Sequence, residues 1–330
     1  MESADLTVVE ICAGAGGQSV GLERAGFRHV LAVEIDVDAA ATLKANRPGW
    51  HVHVGDVRDV KGFEVPKTDL LAGGVPCPPF SMAGKQLGAD DERDLFPEAL
   101  RLVEEIKPRA VMLENVRGLA SARFDTYRQS ILDRLSALGY ETDWKLVYAS
   151  WFGVPQLRPR FILVALRRDV AKHFEWPTPV EGEVSVGDAL HDLMSEAGWP
   201  GADSWASRAS TVAPTIVGGS KKHGGADLGP TRAKAAWLAL GVDGKGVADA
   251  PPASDVAASA VPRLTNRMVA RIQGFPDEWQ FQGRKTSVYR QIGNAFPPPV
   301  AEAIGRSIAR AIAAADASAG EAEYAAEVAN

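Results

Sequence analysis

The sequence predicts an α/β fold: a parallel, doubly wound sheet with helices on both faces, joined to a second, smaller lobe. Three observations carry that prediction. From Leu6 to about Arg168, β-type runs (LTVVEI, HVLAVEI, TDLLAGG, AVMLENV, LVYAS, RFILVAL) occur, and amphipathic stretches such as QSVGLERAG, DAAATLKAN and FPEALRLVEEI separate the early ones. The first run passes straight into the glycine turn AGAGG and then a helix. After about Asp169 the alternation fails, and Gly, Pro, Ser and Ala dominate to about Pro262, with isolated tryptophans at Trp176, Trp199, Trp205 and Trp237.

Length supports two lobes. With 330 residues and 46% hydrophobic composition, the chain can bury a real core and lies above the size at which single cores tend to divide. Helical periodicity returns at TNRMVARIQGF, where Thr265 is a plausible N-cap, and at PPPVAEAIGRSIARAIAAA, whose prolines suit a helix start. The resulting division is residues 1–168 plus about 288–313 as the main domain and 169–287 as the small one. Residues 314–330, Ala-rich and acidic, are expected to be a frayed helix extension or a disordered tail.

Composition excludes several classes. No uninterrupted apolar stretch is long enough for a membrane span, and the start MESADLTVVEI lacks a basic segment leading into an apolar one. A cytoplasmic, bacterial, unexported protein is expected. Cys12 and Cys77 are the only cysteines, too few for a disulfide framework or a zinc site built on cysteine pairs, so no metal is expected. The net charge of −6 argues mildly against nucleic acid, but Asp316, Glu321, Glu323 and Glu327 of the tail supply four of those charges. Basic residues cluster elsewhere, in LRPRFILVALRR and GGSKKHGG, which as single clusters read equally well as solvated faces.

Gly14, Gly16 and Gly17 occupy the first strand-to-helix turn, where glycine permits positive φ and lets a ligand approach the helix N-terminus. Glu34 ends the second β run, where doubly wound folds place a carboxylate for ribose hydroxyls, and Asp56 follows the third, placed to accept from an adenine amino group. A nucleoside-containing cofactor is the consequence; NAD and S-adenosylmethionine are not separated at this point.

The fourth run leads into VPCPPFS, which presents Cys77 at the carboxyl edge of the sheet in a proline-stiffened loop. The fifth ends in MLENV and brings Glu114 to the same edge. A thiol beside a carboxyl group, without metal ligands, suits the problem of making cytosine C5 nucleophilic. Thiolate addition at C6 gives an enamine, and a carboxyl group at N3 stabilises it.

These residues resemble the motifs of the DNA cytosine-5 methyltransferase family, in the family's order: EICAGAGG, PCPPFSMAGK, ENVRG, GVPQLRPR, RLTNRMVARIQGFPDEW and YRQIGNAFPPPVAEAIG. The resemblance implies a Rossmann-like S-adenosylmethionine-dependent methyltransferase sheet with a smaller target-recognition domain. It further implies methyl transfer to a flipped cytosine in a specific duplex DNA sequence, releasing S-adenosylhomocysteine. Cys77 is then the nucleophile and Glu114 its N3 partner, with Arg158 and Arg160 supporting catalysis and Arg160 the contact to cytosine O2. Ala13, Gly14, Gly16, Gly17, Glu34, Ile35, Asp56, Val57, Pro76, Asn294 and Ala295 would surround the cofactor. Ser81, Lys85 and Arg93, in a stretch resembling the family's mobile loop, join Gln156, Thr215, Lys221, Lys222 and Arg232 as expected DNA contacts. The lysine-rich cluster around Lys221 reads equally as a solvated loop.

The resemblance also implies a monomer associated with the nucleoid through its DNA, working beside an independent restriction endonuclease. Two departures stand out. Cys12 occupies the position of the family's adenine-stacking Phe, and Pro78 stands where many members have Gln. The alternatives on the same scaffold are a tRNA cytosine-5 methyltransferase and an inactive DNA-binding relative; a dehydrogenase is undermined by Cys77 and Glu114.

Overall fold

The computed structural model describes residues 5–76, 94–219 and 225–328. In order, the main-lobe elements are β1 (Leu6–Ile11), α1 (Gly17–Arg24), β2 (Phe27–Glu34), α2 (Val37–Asn46), β3 (Val52–Val54) and β4 (Leu70–Gly73). They continue with α3 (Phe96–Ile106), β5 (Ala110–Val116), α4 (Asp125–Ala137), β6 (Tyr140–Tyr148), β7 (Pro159–Arg167) and α5 (Arg168–Ala171). Among the described residues the strands form one seven-stranded sheet in the order β3-β2-β1-β4-β5-β7-β6. The chain reverses its direction of growth between β1 and β4, and an open α/β sheet forms its ligand crevice at the carboxyl ends of such neighbours.

One expectation is corrected here: the sheet is not wholly parallel. β1 pairs with β2 and β4 in parallel, but β7 runs antiparallel to both β5 and β6. The cause is the connection: a short link joins β6 to β7, and a parallel return needs a crossover of a dozen or more residues. The reversal has a chemical consequence, because it carries the start of β7 to the carboxyl end of β5.

Each sheet face is covered. Val9, Ile11, Val33, Leu71, Val111 and Leu113 pack under Leu102 and Val103 of α3 and Leu135 of α4. On the other face Val8, Leu70, Ala72 and Met112 meet Val300, Ile304, Ile308 and Ile312 of the last helix, α11 (Pro298–Val328). Gly21 of α1 lets α11 lie close, since a Cβ there would stand 2.3 Å from the Pro298 carbonyl oxygen.

The small lobe contains α6 (Val186–Ser195), α7 (Ala202–Arg208), α8 (Thr231–Ala239) and α9 (Asn266–Ile272), followed by α10 (Lys285–Asn294). Its tryptophans are core: Trp199, Trp205 and Trp237 are buried with Leu190, Met194, Leu264 and Met268. Thr265 caps α9 as expected, its side chain accepting from the Met268 amide.

Contacts tie the end of the expected small lobe and the tail to the main lobe. The tail continues α11 as helix to Val328, and Asp316 forms an ion pair with Arg109 at 2.6 Å, so the helix remains anchored past residue 313. Residues assigned to the end of the small lobe dock on the main one: Trp279 Nε1 donates to the Ala15 carbonyl at 3.0 Å, and Ser287 Oγ to Asp38 at 2.6 Å.

Candidate active site

A pocket of about 240 Å³ opens at the carboxyl ends of the central strands, lined by Cys12, Ala13, Gly14, Glu34, Gly74, Glu114, Asn294 and Ala295 among others. It therefore joins the expected cofactor residues to the expected catalytic carboxylate. The turn after β1 takes positive φ at Cys12 (51°), Gly14 (57°) and Gly16 (93°). Gly16 is the left-handed N-cap of α1, and a Cβ there would approach Trp279 Cζ2 to 2.6 Å. Gly17 permits a second close approach, since its Cβ would lie 2.3 Å from the Phe296 carbonyl oxygen.

Glu34 holds this turn. Its Oε2 accepts from the Gly14 amide at 2.7 Å and its Oε1 from the Asp36 amide at 2.7 Å, which locks the loops after β1 and β2 together. Burial pushes the Glu34 carboxyl above its ordinary range, opposed by these backbone donors. Ile35 beside it is 66% exposed. Asp56 caps the following turn through the Arg58 amide and pairs with the Arg58 guanidinium at 3.0 Å. Ile35, Asp56, Val57 and Pro76 lie outside the pocket lining.

Cys12 lines the pocket, but its thiol is pushed up to about 12, chiefly by burial and then by Glu34, Asp56 and Glu10. A thiol so placed stays protonated at neutral pH and is a poor nucleophile.

At the catalytic end, Arg160 Nε stands 2.5 Å from Glu114 Oε1, and both side chains are 12% exposed. The register explains the contact. Glu114 pairs with Ile162 and Val116 with Arg160, so Glu114 and Arg160 are diagonal neighbours across the antiparallel pair. Burial pushes the Arg160 guanidinium down and the Glu114 charge opposes it. Glu114 Oε2 is turned toward Gly74, where a Cβ would come within 3.3 Å. Asn115, next along β5, donates from Nδ2 to the Val75 carbonyl at 2.8 Å and so ties β5 to the strand end that precedes Cys77. Cys77, Ser81, Lys85 and Arg93, like Lys221 and Lys222, lie outside the described residues. The Pro76 carbonyl accepts from the Leu95 amide at 3.2 Å, which closes the two described ends of the first of these segments.

Two of the expected site residues lie at the junction of the lobes. Gln156, expected among the DNA contacts, is fully buried: it accepts from the Ile216 amide at 2.8 Å and donates to Gln273 Oε1 at 2.9 Å. Arg158 is fully buried on a backbone with φ of 30° and donates to the carbonyls of Ile216, Gly293 and Ala295. By these bonds it joins the lobes. Thr215 is half-buried in the loop these residues hold, and Arg232 is exposed in the first turn of α8.

The motif reading missed Gln18, Asp36, Arg290 and Phe296, which also line the pocket, and Trp279 beneath its turn. Arg290 had a signal, since it precedes Asn294 by four residues and shares its helix face. Trp279 had none.

A family model of C-5 cytosine-specific DNA methylases matches residues 6–310. The chain belongs to that family. The type II methyltransferase M.NaeI of Lentzea aerocolonigenes is 64% identical over 307 residues, covering 92% of this chain and 74% of that protein. M.NgoMIV of Neisseria gonorrhoeae, another type II methyltransferase, is 54% identical, covering 92% and 96%. Among solved structures, one described as a DNA modification methyltransferase encoded within an E. coli prophage superposes with a TM-score of 0.64 at 25% identity, covering 92% and 98%. The Entamoeba histolytica methyltransferase EhMeth reaches 0.65 at 16% identity over 92% and 98%, a likeness of fold alone. This DNA methylase therefore has the methyltransferase sheet, with β7 reversed, that its motifs implied.

Proposed function

We propose that this DNA methylase transfers a methyl group from S-adenosylmethionine to C5 of a cytosine flipped out of a specific duplex sequence, through a Cys77–C6 adduct. The relatives' type II names support a modification enzyme working beside an independent endonuclease. The observation that carries the chemistry is the buried Glu114–Arg160 pair, which opens on the same pocket as Glu34 and the glycine turn.

The residues present fit a nucleoside donor. The turn is open at Gly14, where a Cβ would meet nothing within 4 Å, and the Glu34 carboxylate is fixed beside it. Glu34, Gly14 and Asn294 would hold the donor, which supplies an electrophilic methyl group. Ile35 offers apolar surface for the adenine that Cys12, lacking a ring, cannot stack.

The protein's own groups then act on cytosine. The Cys77 thiolate adds to C6, forming the C–S bond as electron density moves to C5 and N3. Glu114, carrying its proton on the oxygen facing Gly74, donates it to N3 and stabilises the adduct, while Arg160 holds the other carboxyl oxygen and reaches toward O2. C5 takes the methyl group with release of S-adenosylhomocysteine, solvent water takes the C5 proton, N3 returns its proton to Glu114, and the thiolate is expelled as the C5–C6 double bond re-forms. Flipping the base costs on the order of a few kcal/mol of unstacking, offset by pocket and backbone contacts.

Bisulfite sequencing of DNA from cells expressing the chain tests this reading. Protected cytosines confined to one sequence context are expected. Uniform conversion of the DNA, or methylation of tRNA instead, contradicts it.

A further inference from the structure

The loop at residues 213–219 packs against pocket-lining residues of α10 on one side and faces the surface expected to meet DNA on the other. Its outer side carries half-buried Thr215 and Val217, which is 47% exposed. Its inner side lies against α10, the helix that contributes Arg290 and Asn294 to the pocket. Asn294 Nδ2 donates to the Gly219 carbonyl at 3.2 Å. A Cβ at Gly218 would stand 2.5 Å from the Arg290 carbonyl oxygen and 2.6 Å from Asn294 Oδ1. No side chain fits between loop and helix.

Arg158 fixes the same junction from below. One guanidinium spans the loop, through the Ile216 carbonyl at 2.8 Å, and the end of α10, through Gly293 at 2.9 Å and Ala295 at 2.7 Å. Gln156 adds a second brace, since Ile216 donates to it at 2.8 Å and it donates to Gln273 at 2.9 Å. The loop cannot move relative to α10 without breaking bonds buried away from water, each costly to leave unmade.

From this geometry we infer that residues 213–219 back the methyl-donor pocket through α10 and face the DNA surface, with Arg158 and Gly218 as positioning residues that couple the two sites. This rests on the function proposed above. A donor seated against Asn294 immobilises the loop before DNA arrives, and by reciprocity DNA held on Thr215 and Val217 tightens the donor's grip. The contacts form one continuous bonded network rather than a statistical path.

Hydrogen–deuterium exchange on the full chain, with and without S-adenosylhomocysteine, tests the coupling, since exchange reports local opening. Slower exchange across residues 213–219 is expected on binding. Calorimetry of Gly218→Ala should show S-adenosylhomocysteine bound about fivefold or more weakly. Gly225→Ala, where the added Cβ meets nothing within 4 Å, should bind as the parent does. Arg158→Lys, which keeps the charge but cannot span the three carbonyls, should bind the ligand with reduced protection of the loop. Binding to the parent chain without protection of the loop, or parent-like affinity in Gly218→Ala, overturns the coupling and leaves the function standing. Absence of binding to the parent chain overturns the proposed donor, and the coupling with it.

Discussion

Arg158 and Arg160 stand two residues apart, at the lobe junction and at the sheet edge, and both are removed from water. At the junction the guanidinium meets the carbonyl dipoles of Ile216, Gly293 and Ala295, with no carboxylate among these partners. At the edge it meets Glu114 at 2.5 Å. Burial pushes both guanidinium groups down; Glu114 opposes the fall at both sites, and Arg160 adds to it at Arg158. The backbone makes the difference. A φ of 30° at Arg158, just ahead of Pro159, turns the chain into β7 and sends consecutive arginines of the motif to different tasks. A motif of spaced arginines thus contains one residue that bonds across the lobes and one that pairs with the pocket carboxylate of Glu114.

The largest expected effect breaks the edge. Glu114→Gln should lower methyl transfer by about 10²–10⁴-fold while thermal melting and S-adenosylhomocysteine binding stay near the parent values. Loss of ligand binding in that variant would contradict the assignment of Glu114 to N3. Breaking the junction should read differently. Arg158→Met leaves three buried carbonyl acceptors without their donor, and denaturant unfolding should show a loss of about 3 kcal/mol. Unchanged stability with abolished activity would instead return Arg158 to the reacting groups.

Gly16→Ala sharpens the cofactor side of the comparison. Its φ of 93° and the 2.6 Å approach to Trp279 predict about 1–3 kcal/mol of strain and weakened donor binding, read by calorimetry. The smallest effect tests the tail. Hydrogen bonding to Arg109 holds the Asp316 carboxyl below its ordinary range, so the folded-state value lies below the unfolded one. The pair's contribution is present above the ordinary carboxylate range and is lost as pH falls through the depressed folded value. Asp316→Asn should therefore cost within about 1 kcal/mol at pH 7, and parent and variant melts should converge in acid.

The sheet was legible because buried β runs and amphipathic helices alternate, and the pocket because strand ends and glycine turns carry its residues. Ala13, Gly14, Glu34, Glu114, Asn294 and Ala295 meet around one cavity as their motif positions imply. The reversal of β7 was illegible, because a buried strand has the same composition in either direction and only the short link from β6 betrays it. The buried bonds of Gln156 and Arg158 were illegible because their partners lie more than fifty residues away in the chain. Trp279 under the glycine turn depends on the docking of a distant segment, which local periodicity does not encode.

Two thiols, Cys12 and Cys77, are candidates for the attack on C6. Cys12 lies in the pocket with its thiol raised to about 12, so the chemistry is assigned to Cys77. Duplex DNA containing 5-fluorocytosine, incubated with the enzyme and S-adenosylmethionine and digested for peptide mass spectrometry, should yield a stable adduct on the peptide bearing Cys77. An adduct on the Cys12 peptide, or full methyl transfer by Cys77→Ala, would contradict it.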